Sequence, residues 1–175
     1  DVAIVGSGYT GLHAGLQTAR GGRSTLVLDA EEAGYGCSSR NGGQISTSVK
    51  PSYAALARRH GAERGFAIVR EGQQSLAWMK AFMREEALDC DFRVVGRFHA
   101  AHNEAQFKAL VQRVEHQPKG LEVEAHIVPR AEQRSEIDTD LYHGGAVYTQ
   151  HASVHPARYH TALLARVREA GATVA

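Results

Sequence analysis

Residues 1 to 29, DVAIVGSGYTGLHAGLQTARGGRSTLVLD, leave the chain little choice of fold. The short apolar run DVAIV is the pattern of a strand buried on both faces of a parallel sheet. Glycines at 6, 8 and 11 follow, then a segment of about 13 residues whose apolar positions have helical spacing and which Gly21 and Gly22 close. STLVLD is a second buried strand. A strand, helix and strand completed this quickly is the size of a right-handed crossover between parallel strands.

Gly6, Gly8 and Gly11 match GxGxxG, a spacing weak in isolation but informative between a buried strand and a helix. There Gly6 permits the tight turn, Gly8 lets a pyrophosphate approach the backbone and Gly11 lets helix and strand pack closely. The helix N-terminus offers free N–H groups and a partial positive charge to phosphates. Asp29 ends the second strand, where a carboxylate accepts both hydroxyls of an adenosine ribose and disfavours a 2′-phosphate. A tight turn with no ligand and a surface Asp is the bland alternative.

A second glycine-rich stretch, GYGCSSRNGGQ at residues 34 to 44, distinguishes FAD from NAD. A nicotinamide fold does not need another bare, hydroxyl-rich loop directly after the ribose-binding acid. Gly34 and Gly36 let the chain turn away from the sheet. Ser38, Ser39 and Arg40 can donate hydrogen bonds to pyrophosphate or ribityl oxygens, and Gly42 and Gly43 remove bulk near a flavin ring. A surface loop rich in turn residues is the competing explanation.

Composition narrows the classes without choosing among them. The 175 residues are 43% hydrophobic and 22% charged, which suits a globular domain and excludes disordered and collagen-like chains. The formal net charge is +1 and the basic residues are scattered, so no nucleic-acid partner is expected. No run reaches the roughly 18 apolar residues of a membrane span and no signal peptide is visible, so a cytoplasmic location is expected. Cys37 and Cys90 form no CxxC pair, which suggests neither a disulfide framework nor a zinc site.

Beyond residue 44 the texture changes. SYAALARRHG predicts a short helix, and AERGFAIVREGQQSLAWMKAFMREEAL a long one with Phe66, Val69, Leu76, Met79 and Met83 on one stripe and Trp78 also in the core. DFRVVGRFHAA reads as a strand, NEAQFKALVQRVEHQ as a helix capped by Asn103, and LEVEAHIV as extended. GGAVYTQHASV is a strand, followed by a helix with Pro156 in its first turn and Gly171 past its end. The next strand preceded by a good crossover helix is GATVA, far later than a simple dinucleotide fold allows. The expected architecture is therefore α/β. Residues 1–44 and 151–175 are parts of a discontinuous Rossmann-type, parallel-sheet FAD-binding domain, and 45–150 are an inserted α+β substrate-domain portion. The missing Met at the start and the strand at the end suggest a fragment of a longer protein.

Several of these stretches together resemble the FAD-dependent D-amino acid oxidase superfamily, in the branch of gamma-glutamylputrescine oxidase-like enzymes. They are DVAIVGSGYTGLHAGLQTARGG, LVLDAEEAGYGCSSRNGGQ, GRFHAAHNEAQFKALV and GGAVYTQHASVHPARYHTALLARVREAGATV. The resemblance implies FAD as cofactor and a small-molecule amine or amino acid as substrate. Hydride would pass from the carbon beside nitrogen to flavin N5, water would hydrolyse the imine, and oxygen or another acceptor would reoxidise the flavin. It implies that Gly6, Gly8 and Gly11 hold the pyrophosphate and Asp29 the ribose. Ser38, Ser39 and Arg40 would reach the phosphate or ribityl region, and Asn41, Gly42, Gly43 and Gln44 would lie beside the ring. It names no catalytic residue here, because such enzymes complete the site with a C-terminal half. A dehydrogenase of the same fold and a non-catalytic nucleotide-binding module are the alternatives.

The ten histidines add little. His99 and His102 are three apart after a strand, which puts them on opposite faces, and no metal site is expected. His151, His155 and His160 surround a strand-to-helix junction, with His155 read as structural. Arg84, Glu85 and Glu86 read as a solvated helix face. Arg93 and Arg97 either face a substrate carboxylate or are exposed strand arginines.

Overall fold

A computed structural model describes all 175 residues, which divide into two compact units. The first comprises Asp1–Gln44, Lys80–Arg93 and Ser153–Ala175, and the second Ile45–Met79 and Val94–Ala152.

The first unit is the strand, helix and strand of the opening stretch together with a late return. Val2–Val5 (β1) is followed by the helix Tyr9–Arg20 (α1) and the strand Thr25–Leu28 (β2). Elements of the second unit intervene: Gln44–Ser46 (β3), which begins on the last residue of the first unit, then Tyr53–His60 (α2) and the start of Ala62–Glu85 (α3). Arg93–Val94 (β4), Arg97–Ala100 (β5), Glu104–Glu115 (α4), Ala125–Val128 (β6), Gly145–Tyr148 (β7) and His151–Ser153 (β8) come next. Pro156–Glu169 (α5) and Thr173–Val174 (β9) then return to the first sheet, whose order β1-β2-β9 is parallel throughout. The crossover that joins β2 to its neighbour β9 thus encloses more than half the chain.

The two strands of the opening were expected to be buried on both faces, but their burial alternates. Thr25 and Val27 are buried, whereas Leu26 and Leu28 are exposed and Val5 is 89% exposed. The reason is that one face packs on α1 and α5, where Leu12, Leu16, Val27, Leu163 and Val167 are fully buried, and no element of these residues covers the other.

Residues 80–93, assigned above to the insertion, cluster with the first unit. Glu86 accepts two hydrogen bonds from the Arg20 guanidinium of α1, and its carbonyl accepts one from Arg166 of α5. His155 N–H donates to the Cys90 carbonyl and Arg158 pairs with Asp91. Glu86 is thus a partner of two helices rather than part of a freely solvated face. Its pKa is lowered chiefly by the hydrogen bond from Arg20.

In the second unit β5, β7 and β6 form an antiparallel sheet in that order, with α4 over the face that carries Ala146 and Tyr148. A second small sheet, β3-β8-β4, is made mostly of residues of this unit. Asn103 caps α4 as expected, its side chain accepting from Gln106 N–H at 2.9 Å. The strand expected over residues 91 to 101 is broken at Gly96, which has a positive φ of 72°. On α3, Leu76 and Met83 are buried but Trp78 is 52% exposed. Two residues on from Leu76, at about 100° per residue, Trp78 lies off the side that Leu76 and Met83 share, although Phe82, one turn on from it, is buried.

Candidate functional site

The glycine turn is built as the spacing demands. Gly6 has φ +96°, a region open to glycine, and its N–H donates to the Leu28 carbonyl at 2.7 Å. A Cβ on Gly11 would stand 1.8 Å from the Gly6 carbonyl oxygen, so any side chain there would drive α1 off the turn. Gly8 is the N-cap of α1 and brings no side chain of its own to cap that helix end, which leaves first-turn amides open to other acceptors.

The second loop is fastened onto the first. Cys37–Ser39 form one turn of 3-10 helix, and Ser38 Oγ accepts from Tyr9 N–H at 3.1 Å. The same oxygen lies 3.0 Å from where a Cβ on Gly8 would be. Gly8, Tyr9 and Ser38 therefore meet in one place, although Ser38 is 30 positions from Gly8 in the chain.

The other residues singled out from the sequence are distributed less simply. Ser39 donates to the Gly34 carbonyl, inside the loop. Asn41 donates to the Cys37 and Ser38 carbonyls and accepts from Gly43 N–H at 2.8 Å, so its amide holds the loop in shape. The Arg40 guanidinium lies over the Tyr35 ring, 4.6 Å from its centroid. Gly43 is buried, has φ +65°, and a Cβ on it would come 2.0 Å from the Val154 carbonyl oxygen. Its missing side chain is required by the protein's own backbone. Gly42 has open space around it, and Gln44 is exposed.

Asp29 is exposed at the end of β2 and is bound back to the glycine turn. Its Oδ2 accepts from Ser7 N–H at 2.6 Å and from Ser7 Oγ at 2.5 Å. These bonds, the hydroxyl's first, bring its pKa down to about 2. The carboxylate stays ionised and Oδ1, 3.4 Å from Glu31 N–H, retains lone pairs for hydroxyl donors.

Two contributors were given no role in the site from the sequence. His160 of α5 is buried and its Nε2 lies 2.8 Å from the Ser7 carbonyl, so it donates to the turn from the far end of the chain. Tyr159 beside it is also buried, which raises its pKa, and its hydroxyl is 2.7 Å from His13 Nε2. The available signal was a His at a core position of α5, in register with Leu163 and Val167. His155, by contrast, serves as the expected helix start, its Nδ1 accepting from Arg158 N–H at 3.3 Å.

A helix end whose N-cap is a bare glycine, a carboxylate at the tip of the second strand and a hydroxyl-bearing loop pinned over the first glycines fit the diphosphate and ribose of a dinucleotide. The family described as FAD dependent oxidoreductase matches residues 1–175. The chain belongs to that family. FAD is the family's cofactor, and the parallel sheet around the glycine turn is its Rossmann-type domain. Gamma-glutamylputrescine oxidoreductase of Escherichia coli is 28% identical over 156 residues, which are 89% of this chain and 36% of that protein. Glycine oxidase of Geobacillus kaustophilus superposes with a TM-score of 0.84 at 20% identity, covering 100% of this chain and 46% of that one. L-alpha-glycerophosphate oxidase of Mycoplasma pneumoniae, with FAD bound, gives 0.76 at 13% identity, covering 100% and 44%. The chain thus spans less than half the length of each. No helix is long and apolar enough to cross a membrane.

Proposed function

We propose that this chain is the N-terminal part of an FAD-dependent oxidoreductase that oxidises the C–N bond of a small amine or amino acid. The observation that carries the reading is the meeting of Ser38 with Gly8 and Tyr9, which adds a second loop to an already complete dinucleotide turn. The similarity to an oxidoreductase of gamma-glutamylputrescine supports the substrate class.

In this reading the first-turn amides of α1 that Ser38 does not take receive the pyrophosphate, with Gly8 bare so that it can approach. Asp29 accepts from ribose hydroxyls through the oxygen that Ser7 leaves open. Ser7 and His160 brace the turn: one ties it to Asp29, and the other holds its carbonyl so that the amides keep their direction. Ser38 stands at the pyrophosphate with Arg40 adding positive charge, while Ser39 and Asn41 hold the loop, Gly43 seats it on the Val154 carbonyl, and Gly42 and Gln44 present bare backbone and an amide to the ring. When bound, FAD supplies the redox chemistry, taking two electrons from the carbon beside the substrate nitrogen to leave an imine that water hydrolyses, with oxygen as the terminal acceptor.

The test uses the full-length protein. It should purify with the visible spectrum of an oxidised flavin and be bleached anaerobically by gamma-glutamylputrescine, by sarcosine or by a D-amino acid, with hydrogen peroxide appearing when air is admitted. Absence of flavin that added FAD does not restore would overturn the reading. Bleaching without peroxide would turn it toward a dehydrogenase.

A further inference from the structure

We propose that the second unit contains a binding cavity of its own for a small organic carboxylate, centred on Arg97, His99 and Arg113. The cavity, about 580 Å³, lies wholly within that unit, between β5 and β7 of the antiparallel sheet and the helices α3 and α4. Three cationic side chains line it, Lys50, Arg97 and Arg113, and no Asp or Glu does. None of the three takes part in any ion pair of the protein.

Two buried polar atoms there have no hydrogen-bond partner, Arg97 Nε and His99 Nδ1. Arg97 and His99 are two apart on β5 and so share one face of the sheet. The Arg97 guanidinium lies over the Tyr148 ring, 5.4 Å from its centroid, which orients it without satisfying its N–H groups. Buried donors of this kind are costly to leave unmet, and a carboxylate answers an arginine fork in the plane in which it donates. Burial, with Arg97, Arg113 and Lys50 adding to it, lowers the pKa of His99, so the neutral ring offers one further donor or acceptor.

The rest of the lining decides against a bare inorganic anion. Val69, Leu121 and Val123 give the cavity an apolar wall, and Gln73 and Gln117 already spend their amides on backbone carbonyls of the same unit. The occupant is therefore a carboxylate carried on a short carbon chain. It is either the acid group of the oxidised substrate or a separate ligand, and both have the same chemistry at this site.

Isothermal titration of the full-length flavoprotein with glutarate, with sulfate as the inorganic comparison, tests the assignment. Glutarate should bind, sulfate at least about tenfold more weakly, and both Arg97→Gln and Arg113→Gln should lower the glutarate affinity by about tenfold or more. Arg113 is exposed, so Arg113→Gln tests the site even if Arg97→Gln disturbs folding. Competition between glutarate and the amine in anaerobic bleaching would identify the substrate's own carboxylate, and binding alongside the amine would identify a second ligand. No glutarate binding, or affinity unchanged in Arg113→Gln and in a folded Arg97→Gln, would overturn the proposal. Because heat of binding is read without turnover, its failure is separate from failure of the flavin reading.

Discussion

The two glycine-rich stretches of the first unit look alike in the sequence and are built on different principles. In the turn from Gly6 to Gly11 the glycines answer one another: the missing side chain of Gly11 makes room for the carbonyl of Gly6, five residues away. In the loop from Gly34 to Gln44 the equivalent demand comes from Val154, more than a hundred residues later, whose carbonyl occupies the place of a Gly43 side chain. A local constraint is legible as a motif. A distant one looks the same as ordinary turn chemistry, and only the return of the chain at β8 and α5 reveals it.

Substitutions can break this comparison or sharpen it. Gly11→Ala sets a methyl against backbone within one rigid turn, so it should destabilise the full-length protein at or beyond the upper end of roughly 1–3 kcal/mol, read by urea denaturation. Gly43→Ala meets both the Val154 carbonyl and a positive φ, and a loss of about 2 kcal/mol is expected by the same measurement. If it were neutral, the loop would be independent of the returning chain. Ser38→Ala removes the partner of Tyr9 N–H and should cost about 1 kcal/mol together with part of the FAD affinity, measured by flavin fluorescence on titration.

Asp29 tests the link between β2 and the turn through pH. Its folded pKa of about 2 lies below the ordinary 3.8, so its contribution to stability is complete above 3.8 and is lost as pH falls toward 2. Asp29→Asn should flatten the dependence of the melting temperature on pH in that window and leave the rest of the profile unchanged. Gly42→Ala is the smallest expected change: with open space around it, stability should stay within about 0.5 kcal/mol. A marked fall in FAD affinity at unchanged stability would place the ring beside Gly42.

Much of the first unit could be read from residue order. The strand, the helix and the second strand stand where periodicity and glycines put them, and the late return through α5 to β9 followed from the absence of an earlier crossover helix. The one-sided burial of β1 and β2 was not legible, because an apolar run looks the same whether one face or two are covered. Trp78 was misplaced because a long helix with many apolar residues offers more than one stripe, and burial is settled by the elements that pack on it. Residues 80–93 read as the end of an insertion until Glu86 and Cys90 found their partners on α1 and at the start of α5.

By itself the sequence determined the elements and the chemistry that depends on neighbours: the GxGxxG turn, the acid at the end of the second strand, the Asn103 cap. These rest on interactions within a few residues or across one strand, helix and strand unit, where spacing and geometry are nearly the same thing. Tertiary structure alone decided that Ser38 reaches Gly8, that His160 holds the turn by the Ser7 carbonyl, and that Arg97 and His99 face a cavity shared with Arg113. Each of these joins residues of separate elements, and packing, which has no period along the chain, is what brings them within a hydrogen bond's reach.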